Sequence, residues 1–210
     1  MDTKQISIAD YNYPLPEERI AKFPVCPRDH SRLLVSQGGT IADDYFYNLA
    51  RYLPAGALMV FNNTKVIHAR LHFRKVTGAL IEVFLLEPFA PSEYEQIFLT
   101  RGRCSWLCLV GNQKKWKTGP LTVSTTVVGG LAADTPAGIT LTATHLGEVG
   151  TSQLVDFRWS GGMSFAEVID AIGELPIPPY LNRRTEESDK RTYQTVYSKV
   201  EGSVAAPTAG

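Results

Sequence analysis

Residues 79–86 read ALIEVFLL and residues 105–110 read SWLCLV, and these two apolar runs decide the fold of the middle of the chain. Both are rich in the aliphatic and aromatic residues that strands favour, and turn residues such as those at 91–92 and 111–112 follow them. Similar runs occur at residues 95–100, 121–128, 138–143 and 154–159. Several short strands at this spacing predict a small barrel or sandwich, so we expect residues 69–159 to form an all-β domain.

The sequence before this region mixes strand and helix signals. Residues 32–36 (RLLVS) and 57–61 (ALMVF) predict two strands, the second of them buried. Between them, Asp43 or Asp44 is predicted to cap a helix whose apolar positions lie on one face and extend to Leu53.

Helix signals return after residue 159. Ser164 and Glu167 have the spacing of a capping box and predict a helix that ends near Gly173. A second helix is predicted over residues 189–198. The order of these signals predicts an α/β (α+β) main domain, residues 1–68 and 160–210, with an inserted all-β barrel-like domain, residues 69–159.

Composition and generic motifs exclude several classes of protein. The 210 residues carry no net charge, and no apolar run approaches the roughly 20 residues of a membrane span. The polar first ten residues lack the apolar core of a secretory signal. There is no G-x-G-x-x-G motif after a strand, no P-loop and no G-x-S-x-G elbow, and the histidines form no metal pattern. Cys26, Cys104 and Cys108 are expected to be buried free thiols in a reducing cytosol.

The distribution of charge is more informative than its sum. No acidic residue lies between Glu95 and Asp134, whereas five basic residues do, with Trp106 and Trp116 among them. The basic residues are Arg101, Arg103, Lys114, Lys115 and Lys117. Such a stretch can contact phosphates and stack on unpaired bases, although a solvated basic face of a β-structure is the alternative.

Four polar segments lie where loops meet regular structure: residues 27–32 (PRDHSR), 61–66 (FNNTKV), 193–197 (YQTVY) and 203–210 (SVAAPTAG). The second follows a predicted strand, at the end where α/β sheets bind ligands. Its alternative interpretation is a turn stabilised by asparagine side chains. Tyr193 and Tyr197 are placed on one helical face, where packing is the alternative to binding.

In this order, the segments resemble the S-adenosylmethionine:tRNA ribosyltransferase-isomerase family of queuosine biosynthesis. Further matches are YPLPEE, SRLL, ARL, GNQKKWKTG and PIPPY, at residues 13–18, 31–34, 69–71, 111–119 and 176–180. Residues 202–210, GSVAAPTAG, are the most specific match. Two features differ from the family pattern. Asn63 stands where the family usually has Asp, and family members continue beyond the final Gly, so we expect a truncated and inactive chain.

The resemblance implies an enzyme without metal or cofactor, and we expect a cytoplasmic protein that is a monomer by default. It would transfer and isomerise the ribosyl moiety of S-adenosylmethionine, a consumed substrate, onto 7-aminomethyl-7-deazaguanine at the wobble position of tRNA. Adenine and methionine would leave, and the product would be epoxyqueuosine-tRNA. The family's chemistry needs a general base, and no residue of this chain is assigned to that role.

Site residues also follow from the resemblance as expectations. Asn62, Thr64 and Arg70 are the catalytic candidates that would line the cleft, and Arg28 and Asp29 would orient the polar ends of S-adenosylmethionine. Tyr193, Gln194, Ser203 and Thr208 would complete the substrate-binding wall. The five basic residues Arg101, Arg103, Lys114, Lys115 and Lys117 would hold tRNA. The alternatives are a non-catalytic tRNA- or RNA-binding module and a general interaction domain.

Overall fold

The computed structural model describes residues 6–127 and 137–206. Within it the chain forms two compact units, Met1–Met59 with Pro178–Arg183, and Val60–Ile177 with Arg184–Gly210. The chain mixes helices and strands, as predicted. The division at residues 69 and 159 into a main and an inserted domain stays a prediction.

The first unit is built from short elements. Strands β1 (Arg32–Gln37) and β2 (Thr40–Tyr45) form an antiparallel hairpin, and 3-10 helices lie at Ile8–Tyr11, Glu17–Arg19, Arg28–His30 and Phe46–Tyr52. The strand predicted at 32–36 is therefore confirmed. The helix predicted after Asp43 or Asp44 is present as the 3-10 helix Phe46–Tyr52, but its predicted cap is wrong, because both aspartates lie in β2 and the N-cap is Tyr45. The Asp44 carboxylate instead accepts hydrogen bonds from Tyr45, Asn48 and Tyr52, which fold the next residues into a 3-10 helix.

The core of the second unit is a six-stranded antiparallel sheet. Its strands are β4 (Arg70–Arg74), β5 (Leu80–Ala90), β6 (Arg103–Gly111), β7 (Leu121–Val127), β8 (Ala137–Val149) and β9 (Ser152–Trp159), in the order β4-β5-β6-β9-β8-β7. The edge strands β4 and β7 approach each other, so that the sheet is nearly closed into a barrel. The strands predicted at 79–86, 105–110, 121–128, 138–143 and 154–159 are confirmed within the described residues, and β4 was missed.

Alternation along the strands fills the inside of this barrel. Ile81, Val83 and Leu85 of β5 are fully buried, with less buried residues between them. Trp106 of β6 and Phe157 of β9 are also fully buried. Each such side chain contributes about 1.5–3 kcal/mol by leaving water, so the barrel interior dominates the stability of this unit.

The described residues of the second unit also contain the α-helices α1 (Tyr94–Leu99), α2 (Phe165–Ile172) and α3 (Asp189–Thr192). The strand predicted at 95–100 is wrong, because this segment is α1. Tyr94, Ile97 and Phe98 have the i, i+3, i+4 spacing of one helical face, and Ile97 and Phe98 are buried. The apolar residues alone suggest a strand, whereas their i, i+3, i+4 spacing is that of a helix.

Helix α2 is confirmed together with its predicted ends. Ser164 and Glu167 form both hydrogen bonds of the capping box, and Gly173 is the C-cap. At Gly173 a close approach requires glycine, since a Cβ there would lie 2.3 Å from the carbonyl oxygen of His68. This contact holds the end of α2 against the segment that precedes β4.

One further predicted element is absent and another is shorter than predicted. Residues 57–61 form no strand, and Leu58 and Val60 are 89% and 86% exposed. An apolar run becomes a strand only with a partner, and within the described residues this run has none. The helix predicted at 189–198 ends at Thr192, because the chain turns inward at the buried residues Gln194 and Thr195. Tyr193 and Tyr197 therefore do not share a helical face.

The cysteines are free, and two of the three are buried. Burial raises the pKa of the Cys104 and Cys108 thiols far above the ordinary value, so both stay protonated. Cys26 is exposed, which contradicts the predicted burial of all three. No helix within the described ranges is long and apolar enough to cross a membrane.

Candidate functional site

A short parallel strand pair joins two of the polar segments singled out in the sequence. Strand β3 (Thr64–Val66) pairs with β10 (Val200–Ser203), with a register shift before Ser203. The Ile67 amide donates to the Ser203 carbonyl at 2.9 Å, and the Lys199 amide donates to the Asn63 carbonyl at 2.7 Å. The segments 61–66 and 199–203 thus become one surface, although more than 130 residues separate them in sequence.

Gln194 holds a third segment against this pair. Its side chain is buried, with Oε1 accepting from the Val66 amide at 2.8 Å and Nε2 donating to the Val66 carbonyl at 2.9 Å. Both ends of the amide are engaged with the backbone, so this side chain positions β3. The predicted binding role of Gln194 stays a prediction.

The loop before β3 has the geometry of an asparagine turn. Asn62 Oδ1 accepts from the Thr64 amide at 2.8 Å and from the Thr64 hydroxyl at 2.6 Å. The alternative interpretation of this segment, a turn stabilised by an asparagine side chain, is therefore confirmed for Asn62. Asn63 contributes its carbonyl to β10, and the residue itself is exposed.

A cavity of about 160 Å³ lies beside the strand pair. Its wall comes from β3, α2, α3 and β10, and its charged or titratable members are Lys65, His68, Asp170, Lys190 and Glu201. Lys65 Nζ is 3.6 Å from Glu201 Oε1, and His68 Nδ1 is 3.3 Å from Asp170 Oδ1. The cavity therefore offers cations and carboxylates together, which suits a ligand that carries both signs of charge.

Arg70 belongs to a charged cluster next to this cavity wall. Arg70 Nε is 3.5 Å from Glu82 Oε2, and His72 Nε2 is 3.2 Å from the same oxygen. His72 Nδ1 is 3.4 Å from Glu174 Oε1, and Arg70 and Glu174 exchange both backbone hydrogen bonds. The sequence indicates Arg70 but not the carboxylates of its cluster, because Glu82 and Glu174 come from separate segments with no motif spacing.

The remaining predicted substrate residues have different positions. Ser203 ends β10, and its Oγ donates to the Ala205 carbonyl at 2.5 Å. Tyr193 is the C-cap of α3. Thr208 lies outside the described residues. Arg28 and Asp29 lie in the first compact unit, in the 3-10 helix Arg28–His30.

The five basic residues predicted to hold tRNA are divided between the two ends of β6. Arg101 and Arg103 lie at its start, whereas Lys114, Lys115 and Lys117 follow its end. The strand has nine residues, so at about 3.3 Å per residue the two groups are about 26 Å apart. Trp106 and Trp116 are 0% and 5% exposed, so the predicted stacking of these rings on bases is wrong.

The arginines at the start of β6 are engaged within the protein. Arg103 Nε and Arg158 Nε bind the two oxygens of the buried Asp156 at 2.8 and 3.1 Å. Ser105 Oγ donates to the same carboxylate at 3.1 Å. Burial acts to raise the pKa of Asp156, but the hydrogen bonds from Arg103, Arg158 and Ser105 outweigh it and hold that pKa below its usual value. The Arg101 guanidinium donates to the Gly162 carbonyl.

Comparison with known proteins supports the resemblance seen in the sequence. A family model described as "Queuosine biosynthesis protein" matches residues 8–210. The chain belongs to this family. It is 38% identical over 97% of its length to the S-adenosylmethionine:tRNA ribosyltransferase-isomerase of Trichlorobacter lovleyi, of which it covers 52%. It is also 37% identical, over its whole length, to the protein of that name from Gloeobacter violaceus, of which it again covers 52%.

A third relative with the same name, from Aquifex aeolicus, is 37% identical over 96% of the chain. The chain spans about half the length of the curated relatives it matches. No solved structure matches it. In the part of the chain that the structure describes, no group of three or more His, Cys, Asp or Glu side chains could hold a metal ion.

Proposed function

We propose that this chain carries part of the active site of an enzyme that transfers and isomerises the ribosyl moiety of S-adenosylmethionine onto 7-aminomethyl-7-deazaguanine at the tRNA wobble position. The observation that carries this proposal is the convergence of segments 61–66, 193–197 and 199–203 on the β3–β10 pair. Two of these segments and the last two residues of the third, Gly202 and Ser203, carry the resemblance to the family. Their contact is what a shared binding site would require.

The cavity beside this pair fits the amino-acid end of S-adenosylmethionine. That end carries an α-ammonium and an α-carboxylate, which the carboxylates of Asp170 and Glu201 and the ammonium groups of Lys65 and Lys190 would bind. Asn62, Thr64 and Arg70 are proposed to line the adjoining cleft. The roles of Arg28, Asp29, Tyr193, Ser203 and Thr208 stay predictions.

The reaction starts with proton loss from the carbon next to the sulfonium, whose positive charge stabilises the carbanion. It needs a base, exclusion of water and donors to developing negative charge. We assign no base. S-adenosylmethionine is consumed, so the proposal includes no cofactor. A cytoplasmic, monomeric protein with an α/β main domain and an inserted β-domain is part of the same proposal.

An RNA-binding module without catalysis is the second candidate. The exposed Lys114, Lys115 and Lys117 favour it, since among the described residues no carboxylate forms an ion pair with them. A pure RNA binder has no use for S-adenosylmethionine. Binding of that molecule therefore distinguishes the two candidates.

Adenine release from S-adenosylmethionine tests the proposal. The 210-residue chain and a longer version, continued through the natural reading frame to the length of the relatives, are assayed with and without tRNA that carries the 7-aminomethyl-7-deazaguanine base. We expect release that requires this tRNA and the longer chain. The absence of release from the longer chain, with RNA binding intact, would contradict the proposal and support the RNA-binding module.

A variant pair sharpens this assay. Lys65→Gln in the longer chain is expected to raise the KM for S-adenosylmethionine about tenfold, because one contact to the carboxylate is lost. Lys22→Gln is the matched control, since Lys22 also pairs with a glutamate, Glu17, at 2.9 Å but lies in the first unit. Equal KM values for the two variants would contradict binding of the S-adenosylmethionine carboxylate by Lys65 in the cavity.

A further inference from the structure

Two loops bring together five basic residues at the end of the barrel where β6 ends. Arg74 and Lys75 belong to the hairpin between β4 and β5, and Lys114, Lys115 and Lys117 belong to the loop after β6. Lys75 Nζ donates to the Lys115 carbonyl at 2.9 Å, which ties the loops together. We call these five residues the lysine end. Arg74 and Lys75 lie some 40 residues before the other three, so the sequence window did not include them.

Hydrogen bonds and one buried ring hold the loop that carries Lys114, Lys115 and Lys117. Trp116 is 5% exposed, and its Nε1 donates to the Gly119 carbonyl at 2.9 Å. Asn112 has a left-handed conformation, with φ of 58°, and donates to the Leu80 carbonyl at 3.0 Å. Gln113 Nε2 donates to Gln153 Oε1 at 2.8 Å. The lysines therefore project from a loop that is ordered before any partner binds, which lowers the entropic cost of binding.

Few acidic groups oppose these cations. Glu82, opposite Gly111 in the β5–β6 register, is already engaged by His72 and Arg70. Glu148 is exposed and lies within 3.3 Å of the amide nitrogens of Gln113 and Gln153. It contacts the lysine-bearing turn through Gln113. Among the described residues, Glu148 is the carboxylate that these contacts bring to the five cations, so the surface attracts anions.

The shape of this surface favours the sugar-phosphate backbone over unpaired bases. Phe73 and Trp116, the aromatic residues of these two loops and their flanks, are both buried, so neither ring can stack on a base. Double-stranded RNA is recognised mainly through its phosphates and 2′-hydroxyls, whereas unpaired bases need exposed rings. A lysine surface without exposed aromatic rings therefore fits double-stranded RNA.

The lysine end and the cavity are formed by different residues. None of the five residues of the lysine end lines the cavity. His68 of the cavity wall and Lys75 of the lysine end are seven positions apart in the chain, so at about 3.3 Å per residue they are at most about 23 Å apart. The lysine end is therefore a surface of its own, outside the cavity.

We propose that the lysine end binds the phosphate backbone of a double-stranded RNA stem outside the cavity, and that Arg101 and Arg103 take no part in it. The inference deepens the proposed function and rests on it for the identity of the RNA. Its binding test needs no catalysis, so the two can fail separately.

The test measures binding of a blunt RNA duplex of about 16 base pairs over a range of salt concentrations. Lys114→Gln with Lys117→Gln is expected to weaken binding about tenfold and to reduce the slope of log K against log salt by about 2. Arg19→Gln with Arg51→Gln removes the same charge from the first unit and is expected to change neither quantity. Unchanged binding in the lysine variant, or an equal loss in the control, would overturn the proposal.

Two further measurements test the effect of the opposing carboxylate and the preference for double-stranded over single-stranded RNA. Glu148→Gln retains an acceptor for Gln113 and removes the opposing charge, so duplex affinity is expected to rise about two- to threefold. A single-stranded RNA of the same length is expected to bind more weakly than the duplex. Weaker duplex binding by Glu148→Gln, or equal affinity for the single strand, would contradict a duplex-binding surface.

Discussion

The two ends of strand β6 carry basic residues from one stretch of sequence, and the structure gives them different surroundings. At the start of the strand, Arg103 shares the buried Asp156 with Arg158. At the other end, Lys114 and Lys117 form no ion pair with any described carboxylate. Two arginines share the one carboxylate of Asp156, so a net positive charge remains there, but their hydrogen bonds to Asp156 fix both guanidinium groups within the protein. The comparison therefore teaches that a basic window in a sequence must be divided by strand position before it is taken as a binding surface.

The largest expected effect comes from the core at the arginine end. Trp106 is fully buried, and its ring centroid lies 5.7 to 6.0 Å from those of Tyr94, Phe98 and Phe165. Trp106→Ala is expected to lower the free energy of unfolding by about 3–5 kcal/mol, because it leaves a large cavity. Urea denaturation measures this change.

Trp106→Phe is the matched control for this prediction. It keeps an aromatic ring and removes an indole N–H that has no hydrogen-bond partner among the described residues, so it is expected to cost less than Trp106→Ala. If both variants destabilised the chain equally, packing of the ring would not be the cause.

An intermediate effect is expected from the shared carboxylate. Asp156→Asn is expected to destabilise the chain by about 1–3 kcal/mol at pH 7, since charge-assisted hydrogen bonds from two arginines are lost. The folded-state pKa of Asp156 is lowered, so its stabilisation is fully present above the unfolded pKa of about 4 and is lost as the pH falls through the lower folded-state pKa. The difference in urea midpoint between the chain and the variant should therefore be largest at pH 7 and become smaller as the pH falls below about 4.

Asp43→Asn controls for the loss of one carboxylate. Asp43 also pairs with an arginine, Arg32 at 2.7 Å, but both side chains are well exposed, so this change is expected to cost less than about 1 kcal/mol. A difference between Asp156→Asn and the unmodified chain that stayed constant from pH 7 to pH 3 would contradict the ionic role of Asp156.

The smallest expected effect concerns the lysine end. Gln113→Ala removes the amide that holds the loop to Gln153 and Glu148, and it is expected to cost about 1 kcal/mol or less in stability. Duplex RNA affinity is expected to fall about two- to threefold, because the lysines lose their fixed placement. Titration with the same RNA measures this loss, and an increase in affinity would show that the ordering of the loop does not assist binding.

The sequence predicted the barrel well because alternation along a strand is a local signal. Five of the six strands, together with the capping box at Ser164, were found from short patterns. The wrong predictions concern segments whose local structure depends on residues that are distant in the sequence. Residues 57–61 need a pairing partner to become a strand, and the turn at Tyr193 depends on the clamp between Gln194 and Val66, 128 positions apart.

The candidate site was predicted in part for the same reason. The segments that contain Asn62, Thr64, Gln194 and Ser203 meet at β3 and β10, as their shared resemblance implied. Lys65, Asp170, Lys190 and Glu201 were missed, because the cavity they line is assembled from four separate elements. Arg74 and Lys75 were missed because a hydrogen bond between two loops, and not sequence distance, places them beside Lys115.

Chemical footprinting with a blunt RNA duplex tests the contrast between the two ends most directly. Lysines are acetylated and arginines are modified with a dicarbonyl reagent, with and without the duplex, and each site is quantified by mass spectrometry. We predict that the duplex protects Lys75, Lys114, Lys115 and Lys117 and leaves Arg101, Arg103 and Arg158 as reactive as in the free chain. Protection of the three arginines with unchanged reactivity of the four lysines would contradict the account.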